Sequence, residues 1–172
     1  MKSLFNHKYY KYVYIHILLF ISGIIIGVFI GRAVGNIGNI EFLDKPFYSY
    51  FFHNLISCFV LIGFGIITYG FLTWIPLTYN GIVLGMAIHF LTYYHSVKDI
   101  LLYFSHAVFE IPALFLAIYL GKIFAVEIKL KVAAILKKKV IDDTAFKKNI
   151  VLVLIMIVLL FVASIIEAIP KI

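Results

Sequence analysis

The chain has 172 residues, of which 64% are hydrophobic and only 13% charged, with a mean hydropathy of +1.08. No soluble domain of this size needs so much apolar surface, so the net charge of +7 points to a membrane surface and not to nucleic acid. A single cysteine, Cys58, lies in an apolar run and leaves neither a disulfide framework nor a thiolate metal cage.

A bilayer crossing needs about 20 mostly apolar residues. The sequence predicts five: about 13–35, 50–74, 80–95, 100–124 and 149–169. The fold class is therefore an all-α, polytopic transmembrane helix bundle forming one integral membrane domain over 1–172. The first stretch follows Lys2, Lys8 and Lys11, as a secretory signal would. However, "FISGIIIGVFIGRAVGN" runs past the length of a signal core and shows no clean cleavage motif, so it reads as a retained helix. Gly23, Gly27 and Gly31, four residues apart, let another helix approach closely, either within the chain or in a homo-oligomer.

"IPLTYNG" is expected to break the second stretch from the third, because Pro76 lacks an amide donor and Asn80-Gly81 is turn chemistry. Asn80 then serves as a helix cap, and Gly81 and Gly85 form a second small-residue ridge. The third stretch is short enough to cross with little tilt, to shelter among its neighbours, or to be re-entrant. "YYHSVKD" separates it from the fourth, where Pro112 frees the carbonyl of Val108 and favours a bend. Residues 122–148, "KIFAVEIKLKVAAILKKKVIDDTAFKK", have two readings: a basic amphipathic helix on anionic headgroups or a cytoplasmic partner, or a plain extension of the fourth span. Trp74 and the tyrosines at 69, 79, 93, 94 and 103 fall near span ends, where such rings anchor.

Five crossings put the N-terminal lysines and the 122–148 segment on one side, which then holds eleven of the fifteen cations. The chain is expected in the cell membrane with its N-terminus inside and its C-terminus outside. That orientation brings His53, Asn54, His106, Glu110 and Glu167 to a similar depth near the outer surface, with His89 and His95 as further members. Ionisable groups at membrane depth cost about 2.5 to 3.5 kcal/mol and usually have partners. His106 and Glu110 are one helical turn apart and share a face. The group reads as a neutral hydrogen-bonded latch, as a cation site completed by Asn54, another histidine or water, or as a proton or solute path. No catalytic residues and no cofactor are expected. H-x-x-x-E lacks the paired histidines of a zinc hydrolase, and Ser105 does not face His106.

These residues also carry a resemblance. Asn54, the N-G-x-x-x-G of Asn80, Gly81 and Gly85, the H-x-x-x-E of His106 and Glu110, the later Gly121, and Glu167 resemble, in order and spacing, the stage II sporulation protein M family. The likeness covers roughly 50–170; Ala107 stands where family members typically have glycine. The resemblance implies a multi-helix membrane protein. Its namesake acts in engulfment in sporulating bacteria, localising a complex with the peptidoglycan-degrading sporulation proteins D and P; relatives in archaea and non-sporulating organisms imply a broader task. The expectation is a non-enzymatic protein that organises a membrane complex or shapes the bilayer, with unidentified membrane proteins as partners. The alternative is a transporter or permease component using the outer His/Glu cluster.

Overall fold

The computed structural model describes residues 9–35, 46–137 and 144–169, excluding the side chains at 144, 145 and 147. Six helices follow in order: α1 (Tyr10–Val34), α2 (Phe47–Ile67), α3 (Trp74–Leu91), α4 (Val97–Tyr103), α5 (Ala107–Leu136) and α6 (Thr144–Glu167). The described residues contain no strand. Helices α1, α2, α3 and α5, with Lys148–Glu167 of α6, are long and apolar enough to cross a membrane.

The break after α2 comes earlier than the proline suggests. Residues 68–73 turn the chain, with Tyr69 and Gly70 at φ 55° and 76°, and Pro76 sits in the first turn of α3. There its missing N–H is one of the donors a helix start leaves unpaired anyway. Asn80 and Gly81 accordingly lie inside α3 and neither turn nor cap it. Thr73 occupies the cap position, and Asn80 Nδ2 donates to the Pro76 carbonyl at 3.0 Å.

The fourth predicted stretch is divided. Its start is the separate short helix α4, with no buried residue, opened by a capping box in which Asp99 N donates to Ser96 Oγ at 3.3 Å and Ser96 N to Asp99 Oδ2 at 3.1 Å, with Ser96 Oγ also donating to Asp99 Oδ2 at 2.7 Å. Those Ser96 hydrogen bonds hold the Asp99 carboxyl below its ordinary range. The spanning helix proper begins at Ala107 and continues through Pro112 to Leu136, so the first half of the basic segment is a direct continuation of α5 and not a separate amphipathic helix. Lys2, Lys8, Lys45, Lys138, Lys139 and Lys171, used above for orientation, lie outside the described residues.

Packing divides the helices into two groups. The first is α1 against α3. A β-carbon at Gly23 would lie 3.3 Å from Gly81 Cα, and one at Gly81 would lie 3.3 Å from Gly23 Cα. Gly27 faces the Ile82 backbone, Gly85 faces Ile24, and Gly31 faces the His89 ring. Contacts that climb both helices together mean that α1 and α3 run parallel, ridge on ridge. The second group is α2, α5 and α6, whose core includes Leu61, Ile118, Leu120, Leu152, Met156 and Leu160. Here too two helices touch at glycines: Gly65 of α2 and Gly121 of α5 meet reciprocally at their backbones.

The same small-residue spacing is written twice in the sequence, as "SGIIIGVFIG" (22–31) in α1 and "NGIVLGMAIH" (80–89) in α3. The two groups join through α1 and α5, where Phe20 meets Phe115 and Tyr9 meets Tyr119 edge to face. An apolar cleft of about 640 Å³ opens beside that junction, lined in part by Val13, Ile17, Pro112 and Ile155.

Candidate functional site

His106 is the residue before α5, Glu110 lies in the first turn of α5, and Glu167 is the last residue of α6. The end of one helix and the start of another therefore meet at one place. His106 Nε2 lies 3.6 Å from Glu110 Oε2 and 4.0 Å from Glu167 Oε1. One ligand atom from each residue falls within 4.8 Å of the others. The three side chains are partly buried, exposing 12%, 25% and 23% respectively. The two carboxylates sit in opposite helix fields. Glu110 is favoured by the N-terminal pole of α5, whereas Glu167 faces the carbonyl-rich C-terminal pole of α6, which disfavours an anion.

The other predicted members divide. Asn54 is buried on α2, one turn before the buried Cys58 and so on the same inward face of that helix. His53, its neighbour, projects from the exposed side of α2 because adjacent helical positions point apart. His89 is buried in the α1–α3 seam against Gly31, with its ring 5.2 Å from that of Tyr93, and so belongs to the seam and not to the cluster. His95 meets Tyr103 of α4 edge to face, with ring centroids 5.1 Å apart. Gly81, Gly85 and Gly121 are packing positions.

Sequence reasoning missed a second polar centre at the opposite end of the bundle. His16 Nε2 and the Tyr12 hydroxyl both hydrogen-bond Thr73 Oγ1, at 2.8 and 2.7 Å, and Thr73 Oγ1 also donates to the Gly70 carbonyl at 3.0 Å. Lys122 of α5 donates to the Tyr69 carbonyl and lies 5.6 Å over the Tyr12 ring. This knot ties the 68–73 turn to α1 and α5. The signal was present, since His16 and Tyr12 are i and i+4 in an apolar stretch. A third link, Asn149 Nδ2 donating to Glu127 Oε1 at 2.6 Å, joins α6 to α5 at that same end.

No curated protein and no solved structure matches the chain. A family model described as Stage II sporulation protein M matches residues 16–169, a range that takes in α1 as well as the motifs from Asn54 to Glu167. This integral membrane protein belongs to the stage II sporulation protein M family.

Proposed function

We propose that the chain is a non-enzymatic organiser of a protein complex in the cell membrane, inserted with its N-terminus inside, acting through the lateral faces of its helices. The observation that carries this reading is how little of the spanning surface the chain keeps for itself. More than half of the spanning stretch is buried within the bundle only in α5, at 56%; the shares for α1, α2, α3 and α6 run from 22% to 33%. Phe29 and Ile25 of α1 and Ile56 and Phe52 of α2 point outward, towards lipid or a partner helix. Van der Waals packing is what joins helices in lipid, so broad outward faces are the surfaces from which a membrane assembly is built.

In this reading the His106, Glu110 and Glu167 cluster fastens the start of α5 to the end of α6, and Asn54 supports it from α2. A solute path has less support. The α1–α3 and α2–α5 contacts run through glycine backbones, and α5 beyond Glu110 buries Ala113, Leu114, Ala117, Ile118 and Leu120.

The test is site-specific photocrosslinking in native membranes, with the reactive group at Phe29, at Ile56 or at buried Met156. Discrete protein adducts from Phe29 or Ile56, and none from Met156 to other chains, are the expected result. Lipid adducts alone at both outward positions would contradict the organiser reading.

A further inference from the structure

We propose that His106, Glu110 and Glu167 bind a divalent transition-metal ion, with zinc the best-matched occupant. This deepens the reading of the three residues as the α5–α6 fastening and rests on it. The first argument is spacing. Zinc holds nitrogen and oxygen ligands at about 2.0 to 2.2 Å, so two ligands of a tetrahedral ion stand about 3.4 Å apart. His106 Nε2 stands 3.6 Å from one carboxylate and 4.0 Å from the other. Those separations exceed the roughly 2.7–3.2 Å of a direct N–H···O hydrogen bond, and all three ligand atoms lie within 4.8 Å of one another, a set that the side chains can draw together around a shared ion.

The second argument is charge. When both carboxylates are ionised beside a neutral imidazole they carry two negative charges, which one divalent cation cancels. The position of Glu167 adds to the demand, because the terminal carbonyls of α6 already make that end negative. A cation there meets the Glu167 anion and the helix pole together. The third argument is ligand type. One imidazole with two carboxylates suits zinc, manganese or ferrous iron, and the order of affinities favours zinc among these. Magnesium prefers an all-oxygen shell with several waters. Three protein ligands leave a fourth position for water, and the partial exposure of all three side chains gives an entry route. Bound there, the ion would join the first turn of α5 to the last turn of α6.

The test uses the full chain without an affinity tag, purified in detergent, treated with chelator and exchanged into metal-free buffer. Calorimetric titration with zinc chloride should show one saturable equivalent and a rise in melting temperature. Glu167→Gln, which keeps the side-chain shape, should weaken binding by roughly tenfold or more, a loss at least as large as that from removing an outer-shell partner. His53→Ala, away from the cluster, should bind as the parent does. Cobalt titration is the second measurement: the visible absorption of a low-coordinate nitrogen and oxygen site is expected in the parent and lost in His106→Gln, which also covers the case in which Glu167→Gln does not fold. Absence of a stoichiometric site in the parent would overturn the proposal, as would zinc affinity unchanged in both Glu167→Gln and His106→Gln. Failure here with the protein crosslinks intact would remove the metal and leave the organiser reading, whereas zinc binding without protein crosslinks would do the reverse.

Discussion

Helices α1 and α3 meet backbone to backbone along Gly23, Gly27, Gly81 and Gly85, while α2, α5 and α6 meet largely through interleaved side chains such as Leu61, Ile118, Leu152 and Met156. Their polar centres differ in the same manner. The Tyr12, His16 and Thr73 knot, which holds α1 to the turn before α3, is closed by hydrogen bonds of 2.7–3.0 Å and contains no carboxylate. The cluster on α5 and α6 brings two carboxylates and an imidazole together at 3.6 and 4.0 Å. A histidine in a spanning bundle is thus not one signal: His16 has its nitrogens on a hydroxyl and a carbonyl and is a structural fastening, whereas His106 faces two acids, the arrangement on which the proposed cation site rests.

The seam is the easier of the two to break. Gly27→Leu places a side chain against the Ile82 backbone, which cannot move without shifting α3, and the expected loss is about 3 kcal/mol or more, at the top of the range for overpacking. Gly63→Ala, where a β-carbon would meet nothing within 4 Å, should leave stability unchanged or raise it by about 0.5–1 kcal/mol. Reversible unfolding in mixed detergent micelles measures both, and equal effects would mean that the glycine register is wrong. The next largest effect belongs to the knot. Thr73→Val keeps the shape but removes the hydroxyl shared by His16 and Tyr12, and should cost about 1–3 kcal/mol through the partners left unpaired. A neutral outcome in the same assay would show that water serves those groups equally well.

Much of this was readable in the chain. Five apolar stretches, the Gly23–Gly31 ridge and the one-turn spacing of His106 and Glu110 follow from hydropathy and helical period alone, and all appear in the structure. Bringing Glu167 to that pair needed only the alternation of the spans. Errors arose where one residue type serves two purposes. Pro76 looked like a helix breaker but sits in a first turn, and Asn80-Gly81 looked like a turn but packs α3 on α1. His89 and His53 share a depth signal with His106, yet depth does not specify azimuth: one faces Gly31, and the other points outward.

The start of α5 and the end of α6 should form one energetic unit through Glu110 and Glu167, and a double-mutant cycle reads this directly. Glu110→Ala, Glu167→Ala and the double variant would be compared by reversible unfolding in mixed micelles. The predicted result is a coupling energy of about 1 kcal/mol or more, as found for residues that share one network. Losses that simply add, to within about 0.5 kcal/mol, would show two independent carboxylates and contradict it.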